Sequence, residues 1–417
     1  MKTTTILFSL FAVLLTSNSC CLADDLKDLN TNDTVKGELQ SLVETELSLY
    51  KAKVPTYPGG LALKVITGDA SYFATAGLGT GVNENTHFRA ASNTKTITSA
   101  AILLLYERGK LNLTDCLTDT IPGTTMTYLP RTQGYDIAYN DKITILDLLR
   151  HRAGVFDVSN DDIPDTIPAD VPYKGKNYLG YVMGSDSLHT FTFDELIGVN
   201  AATGLSYFAP GTGYHYSNTG YSILGKIIER VSQVSYQKYV TDNILTAMGM
   251  YNSSMPVLGT DRMMPQPFVP GYVMYEGKIK DVSASNISAN VAEGTLITTP
   301  VELASFLRRL LKGEGPLSLH TVNGIMMNYI STSNVGVGGY GCGLSYTNNL
   351  GYGHTGAHEG YLSLMVYDPD SDISIVLFTN VWNLNDGMES LIYQLNNMLE
   401  STSYKAKSIV LKSQTKI

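Results

Sequence analysis

The sequence contains few cysteines, one tryptophan and little charge of either sign. Among its 417 residues are 4 cysteines, and Cys20 and Cys21 belong to an N-terminal apolar segment, which leaves Cys116 and Cys342. Two cysteines so far apart do not define a disulfide framework, so both are candidates for free thiols. The net charge of -9 gives no electrostatic basis for binding nucleic acid. Composition is that of a globular protein, and we expect a small-molecule or peptide substrate rather than nucleic acid as its partner.

Long apolar runs are also absent, except at the start of the chain. Met1 and Lys2 precede an apolar run from Ile6 to Leu15, and small residues follow as far as Ala23. This pattern predicts a signal peptide over residues 1–23 and a secreted or periplasmic protein. A lipid anchor on Cys20 is an alternative, although Ser17 stands where lipoprotein signals usually carry leucine. No later run is apolar enough to span a membrane.

One stretch is built like the start of a catalytic helix. Ser92-Asn-Thr-Lys95 opens a largely apolar segment that ends at Gly109, which predicts a buried helix with Ser92 and Lys95 in its first turn. Residues three apart share a helix face, so the Lys95 amine can reach the Ser92 hydroxyl. A buried lysine loses proton affinity and can then activate a serine nucleophile.

The Ser-x-x-Lys spacing is weak evidence by itself. It recurs from Ser48, from Ser235 and from Ser413 in this same sequence. A serine at a helix start is also a common N-cap, which is the alternative interpretation of Ser92. Other stretches must decide between these two interpretations.

A turn-rich loop supplies a second set of polar groups. Tyr216-Ser-Asn218 follows Pro210 and Gly211 and precedes a predicted helix from Ser222 to Val231. A phenol with a lowered pKa can act as a general base, and an amide side chain can orient an amide substrate. The alternative is a packed tyrosine with Asn218 as the helix cap.

A third polar stretch is rich in glycine. His354-Thr355-Gly356-Ala357 precedes an alternating strand, and its small residues would let a substrate lie along the strand edge with the backbone N–H of Ala357 free to donate. A glycine-rich turn is the plain alternative. A metal site on His354, His358 and Glu359 would need a helical spacing that the glycines oppose, so we predict no metal and no other cofactor.

The three stretches, in this order, resemble the serine β-lactamase and penicillin-binding superfamily, whose signature combines Ser-x-x-Lys, a second polar motif and a Lys-Thr-Gly-type strand. Tyr-x-Asn and His-Thr-Gly are similar to the D-alanyl-D-alanine carboxypeptidase, class C β-lactamase and β-lactamase-like esterase branch. The resemblance extends from Gly59 to about Leu399. Further stretches that fit this branch are Leu148 to Gly154, Ile227 to Val231, Leu245 to Met250 and Glu293 to Ala304.

The resemblance implies an acyl-enzyme mechanism. Ser92 would attack a carbonyl, Lys95 and Tyr216 would share the general-base work, and Asn218 would orient the substrate. Thr355, Gly356 and Ala357 would bind the substrate beside His354, which stands where many relatives carry lysine and whose help would depend on pH. A Ser-His-Asp triad is less well supported, because no Gly-x-Ser-x-Gly elbow is present.

The substrate is less well defined by these motifs. A D-alanyl-D-alanine carboxypeptidase-like activity is the leading prediction, but many relatives place a hydroxyl residue where this chain has Ala357. An esterase, a β-lactamase or a catalytically idle penicillin-binding-like protein are the alternatives. The sequence contains nothing that indicates an oligomeric state.

Predicted strands at both ends and predicted helices in the middle indicate an α/β (α+β) fold in two lobes. The catalytic domain would span residues 24–400, with a sheet lobe of about 36–100 and 285–400 and a helical lobe of about 101–284. The first and last helices would flank the antiparallel sheet, and Ser92 would lie in the cleft between the lobes. Residues 401–417 would form a frayed basic tail.

Overall fold

The computed structural model describes residues 19–332 and 338–414, and in the first helix it describes side chains from residue 32 onward. Residues 1–18 of the predicted signal peptide lie outside this part, so both the signal peptide and export stay predictions. Within the described part, no helix is long and apolar enough to cross a membrane.

An antiparallel sheet of seven strands forms the centre of the fold, in the order β2-β1-β11-β10-β9-β8-β7. A second sheet has the order β12-β4-β5, and β3 pairs with β6. The strands are β1 Leu61–Ile66, β2 Ser71–Ala76, β3 Phe88–Arg89, β4 Tyr272–Tyr275, β5 Lys278–Asp281, β6 Ile297–Thr298, β7 Gly339–Tyr340, β8 Ser345–Thr347, β9 Gly351–His358, β10 Tyr361–Asp368, β11 Ile373–Thr379 and β12 Val381–Asn383.

Helices cover both faces of the seven-stranded sheet. They are α1 Ser19–Lys53, α2 Thr94–Glu107, α3 Ile145–Leu149, α4 Tyr178–Met183, α5 Phe193–Thr203, α6 Asn218–Ser232, α7 Tyr236–Val240, α8 Val291–Gly294, α9 Pro300–Leu311, α10 Leu319–Thr321, α11 Met388–Gln394 and α12 Ser401–Gln414. This mixed architecture confirms the predicted fold class.

Alternation along the strands explains the layers. In β11, Ile375 and Leu377 join the apolar cluster under α1 and α12, whereas Val376 and Phe378 join the larger cluster around α2 and α9. Successive side chains of a strand point to opposite faces, so this strand is buried on both sides. Helix α2 therefore starts deep inside the molecule, with Lys95 already buried.

Local interactions explain where several elements begin and end. Thr144 and Asp147 form a reciprocal capping box at the start of α3. Thr299 caps α9 by accepting from the Glu302 backbone, and the Glu302 carboxylate accepts from the Asn252 backbone. β10 and β11 form an antiparallel hairpin.

β7 and β8 pair as a hairpin, whose turn closes from Gly341 to Leu344 and contains Gly343 with a φ of 68°. One prediction needs correction. The C-terminal tail is a helix rather than a frayed segment as far as Gln414. Ala406 and Val410 are buried and hold this helix against the sheet layer. In the sequence these two apolar residues are separated by lysines and polar residues, so they do not form a recognisable apolar face.

Candidate active site

The chain makes a strained turn immediately before the serine. Ala91 has a φ of 51°, a left-handed conformation that costs a non-glycine residue about 1–3 kcal/mol. The turn joins β3 to the short 3₁₀ segment Ala91–Asn93 and then to α2. It is fixed by the Asn93 side chain, which donates to the Ala90 carbonyl at 2.7 Å and to the Ser363 hydroxyl at 2.8 Å. Ser92 is consequently presented, half-buried, at the start of a buried helix.

The Lys95 amine lies among three acceptors. It is 2.7 Å from Oδ1 of Asn218, 3.1 Å from the carbonyl oxygen of Glu293 and 3.4 Å from Oγ of Ser92. Two of these atoms can only accept hydrogen bonds. A neutral amine has two N–H groups and one lone pair, so it can donate to Asn218 and Glu293 while its lone pair points to the Ser92 hydroxyl.

Burial favours that neutral form. Desolvation lowers the pKa of Lys95 to about 7, although the nearby carboxyl groups of Glu293 and Asp157 act in the opposite direction. Desolvation likewise raises the pKa of Glu293 to about 8. The Glu293 carboxyl lies 3.3 Å from the Ser222 hydroxyl, and its Oε2 atom has no hydrogen-bond partner among the described residues. Near neutral pH the Glu293 carboxyl therefore favours its uncharged state, and a large fraction of the Lys95 amine is neutral.

The loop before α6 carries the second set of groups. Ser217, not Asn218, is the N-cap, since its side chain accepts from the Gly220 backbone. The Asn218 backbone donates to the Asp157 carboxylate at 3.0 Å. Because the Asn218 carbonyl oxygen binds Lys95, its NH₂ group is left to face the cleft that Asn218 lines.

Tyr216 lies against Lys95 and Ser92. The Lys95 amine is 4.6 Å from the centre of the Tyr216 ring, and the phenol forms a side-chain hydrogen bond with Ser92. Desolvation raises the pKa of Tyr216 well above its usual value despite that hydrogen bond. The expected lowered pKa is therefore wrong, because desolvation of the phenol outweighs its hydrogen bond with Ser92.

Strand β9 brings the third stretch beside Ser92. A Cβ on Gly356 would lie 2.2 Å from the Ala90 carbonyl oxygen, so only glycine allows this close approach. β8 pairs with residues Gly351 to Gly353 of β9, which leaves the following edge next to the Ser92 turn. Thr355 and Ala357 are exposed on one face of β9, and His354 and Gly356 are buried on the other.

His354 does not behave as predicted. It is buried, and desolvation, assisted by the neighbouring Lys95, lowers its pKa to about 3. The expected pH-dependent charge near neutrality is therefore wrong. The sequence contained no sign of this, since the burial depends on strands that lie elsewhere in the chain.

A cleft of about 1030 Å³ contains Ser92, Asn218 and Ala357 in its wall. Arg262, Lys280, Asp281, Glu359 and Trp382 also line it, so cationic and anionic side chains are both represented. The small sheet of β4, β5 and β12, which was not predicted, supplies part of this wall.

Several buried polar residues around the site were not assigned from sequence. His151, between α3 and Gly154, accepts from the Ser217 backbone at 3.1 Å and packs on the Tyr216 ring. Glu293 and His151 both fall in stretches that fitted the family pattern, which was the available signal. Asp157 and Tyr340 lie in less distinctive segments.

Comparison with known proteins places this arrangement in context. The model of the beta-lactamase family matches residues 52–397 of the chain. Protein flp of Staphylococcus aureus is 29% identical over 231 residues, which are 54% of this chain and 39% of that protein. A putative D-alanyl-D-alanine carboxypeptidase of Salmonella paratyphi A is 32% identical over 167 residues, covering 40% of this chain and 33% of that protein. The chain thus spans well under half the length of these relatives.

A solved structure covers more of the chain. The D-stereospecific amidohydrolase from a Streptomyces species superimposes with a TM-score of 0.67 at 25% identity, over 85% of this chain and 98% of that one. The similarity therefore includes both the sheet and the helices that surround the candidate site.

Proposed function

Because this chain belongs to the beta-lactamase family, we propose that it is a serine hydrolase that cleaves amide bonds next to D-amino acid residues through an acyl-enzyme on Ser92. The observation that carries this proposal is the Lys95 amine, which has two fixed acceptors and lies 3.4 Å from Oγ of Ser92. Family membership supports the serine hydrolase class, and the proposal adds the bond and the substrate.

Lys95 is the base that starts acylation. Its lone pair takes the Ser92 proton while Oγ attacks the substrate carbonyl carbon, so the C–O bond forms as the O–H bond breaks. Burial of the amine is what makes the lone pair available near neutral pH. The hydrogen bonds to Asn218 and Glu293 orient it.

Tyr216 acts as a proton relay to the leaving group. Its raised pKa keeps the phenol protonated, so it can donate its proton to the departing nitrogen and recover one from the Lys95 ammonium. Proton balance is then complete: Ser92 loses one proton and the amine leaving group gains one. Deacylation reverses these transfers with water in place of the amine.

The negative charge that develops on the carbonyl oxygen in the tetrahedral intermediate must be stabilised by hydrogen-bond donors. The backbone N–H groups of Ser92 and Ala357 are the proposed pair, because β9 lies directly against the Ser92 turn. Loss of one such donor typically costs about 10²–10³-fold in rate. The Asn218 NH₂ group would hold the substrate amide from the opposite side.

The D-configured acyl group is proposed from two kinds of support. The similar Salmonella protein is described as a putative D-alanyl-D-alanine carboxypeptidase, and the similar Streptomyces protein is a D-stereospecific amidohydrolase. A carboxypeptidase-like activity is the form expected from the motifs. Esters are a second candidate, because Ala357 offers no hydroxyl for a terminal carboxylate.

Steady-state hydrolysis of D-alanyl peptides, L-alanyl counterparts and nitrophenyl esters tests this function, together with the variant Ser92→Ala and the cleft-lining control Ser285→Ala. We expect preference for the D-substrate, near-normal rates for Ser285→Ala and a loss of at least about 10³-fold for Ser92→Ala. If Ser92→Ala hydrolysed these substrates at the wild-type rate, or kept the full biological effect of the wild-type protein, the proposal would be contradicted and a binding role favoured.

A further inference from the structure

The loop of residues 204–217, between α5 and α6, carries Tyr216 and is supported by another part of the chain. All of its residues are described, and none belongs to a helix or a strand. The segment from His151 to Gly154 lies against it, since a Cβ on Gly154 would be only 2.1 Å from the Phe208 carbonyl oxygen. Three backbone hydrogen bonds join the segment to the loop, from Tyr207 to Gly154 at 2.9 Å, from Gly211 to Arg152 at 2.9 Å and from His215 to His151 at 3.0 Å.

His151 contacts the chain on both sides of Tyr216. Its carbonyl oxygen accepts from the backbone N–H of His215 at 3.0 Å, and its Nδ1 atom accepts from the backbone N–H of Ser217 at 3.1 Å. The centre of its ring lies 4.3 Å from the centre of the Tyr216 ring. One buried residue therefore fixes the backbone before and after Tyr216 and also packs on its side chain.

The backbone conformation and the tautomer of His151 fit these contacts. Its φ is 55°, which is uncommon for residues other than glycine. A backbone N–H can only donate, so Nδ1 carries no hydrogen, and the ring is uncharged with its hydrogen on Nε2. Nε2 has no hydrogen-bond partner in the described part of the chain. Only the ring nitrogen nearer to the backbone is therefore used.

We propose that His151 is a positioning residue that keeps the Tyr216 phenol beside Ser92 by holding the backbone on both sides of Tyr216. This inference rests on the proposed function, since it concerns the residue that acts there as the proton relay. Displacement of a reacting group by about 1 Å can slow a reaction about 100-fold. The glycines that precede Tyr216 in the loop, Gly211 and Gly213, allow such displacement unless the backbone is held.

The variants His151→Phe and His151→Asn separate hydrogen bonding from ring packing. Phenylalanine keeps a ring beside Tyr216 but accepts no hydrogen bond. Asparagine has its Oδ1 atom where histidine has Nδ1, and it tolerates a positive φ. We expect pre-steady-state release of nitrophenol from a nitrophenyl ester to be about tenfold slower in His151→Phe, the value of one neutral hydrogen bond, and close to the wild-type rate in His151→Asn.

A double-mutant cycle shows whether His151 acts through Tyr216. If it does, His151→Phe should slow acylation no further in a Tyr216→Phe background, because the relay is already lost. His87→Phe is the matched control: His87 is also buried, with ring nitrogens 2.9 Å and 3.0 Å from the carbonyl oxygens of Pro267 and Asn252. We expect this control to lower Tm at least as much as His151→Phe does and to leave the acylation rate of the folded protein unchanged.

Amide hydrogen exchange tests the contact without any substrate. The Ser217 amide should exchange about tenfold faster in His151→Phe than in the wild type, because it loses its acceptor, and it should stay protected in His151→Asn. NMR of ¹⁵N-labelled protein measures this amide separately from its neighbours. His87→Phe should leave its exchange rate unchanged.

Several outcomes would overturn the inference. These are acylation at the wild-type rate in His151→Phe, the same loss in His151→Asn, the same loss again in the Tyr216→Phe background, or an unchanged exchange rate of the Ser217 amide in His151→Phe. A wild-type rate in Tyr216→Phe would also overturn it, since there would be no relay to position. The proposed function fails differently: the wild type itself would not acylate Ser92, while the exchange of the Ser217 amide still responded to His151→Phe. His151 would then hold the loop without a part in catalysis.

Discussion

The two sides of the active site are built on opposite principles. At the helix side, Ser92 and Lys95 are three residues apart, and the 3₁₀ segment Ala91–Asn93 together with the start of α2 sets their geometry. At the strand side, His354 forms a hydrogen bond with Tyr340, and the pairing of β7, β8 and β9 brings these two residues together. Both basic groups are buried, and burial lowers the pKa of each. The Lys95 amine lies 3.4 Å from Oγ of Ser92, whereas the His354 ring nitrogens face the Thr355 carbonyl and the Tyr340 hydroxyl.

This difference shows how burial can have two consequences. For Lys95, lost solvation creates a usable base, because the remaining contacts accept hydrogen bonds and leave the lone pair directed at Ser92. For His354, lost solvation lowers the pKa to about 3 and so removes the positive charge expected near neutral pH. The loss of solvation therefore makes Lys95 a usable base, whereas it leaves His354 uncharged.

Among the following changes, replacing Tyr216, the proposed proton relay, should reduce the reaction rate most. Tyr216→Phe should slow acylation about 100-fold, the usual contribution of a positioned proton-transfer group. Pre-steady-state release of nitrophenol measures this step. The adjacent variant Tyr214→Phe serves as control and should acylate at a rate close to wild type. A normal rate in Tyr216→Phe would mean that Lys95 alone carries out the proton transfers.

The pH dependence of kcat/KM tests the base itself. Because the neutral amine is required and the pKa of Lys95 is lowered to about 7, kcat/KM should fall about tenfold per pH unit below that value. His215→Gln, which removes an exposed histidine next to Tyr216, should leave this limb in place. A limb that moved with His215, or that appeared only above about pH 9, would contradict the assignment to Lys95.

Adding a hydroxyl on the strand side should have the smallest effect. Ala357→Ser should raise kcat/KM for a substrate with a terminal carboxylate by less than about tenfold, the value of one neutral hydrogen bond. Substrates without the carboxylate should be unaffected. No increase, or an equal increase for substrates without the carboxylate, would contradict a role of residue 357 in carboxylate recognition.

The sequence predicted the helix side well because its signals are local. Apolar residues after Ile97 indicated burial, which the structure confirms. The spacing of Ser92 and Lys95 indicated that the two side chains meet, which the 3.4 Å distance confirms, although Ser92 lies in the 3₁₀ segment before α2 and not in the first turn of the helix. In both cases neighbouring residues in the chain contain the information. Cys116 and Cys342 are also free, as their wide separation indicated.

The remaining features depend on contacts between distant segments. Tyr216 and His354 have pKa values set by enclosure from several elements, and the buried carboxyl of Glu293 approaches Lys95 only after folding. In the sequence the C-terminal helix resembles a solvated basic tail, yet Lys405 of α12 forms an ion pair of 2.7 Å with Glu46 of α1. Spacing along the sequence could not reveal such pairings.

The most direct test of the account is the intact mass of the protein after exposure to a penicillin. The account predicts a mass increase of one penicillin in the wild type, located on Ser92 by peptide mapping, and no increase in Ser92→Ala. An adduct that persists in Ser92→Ala, or a wild type that hydrolyses D-alanyl substrates without ever acylating Ser92, would contradict the central role assigned to this serine.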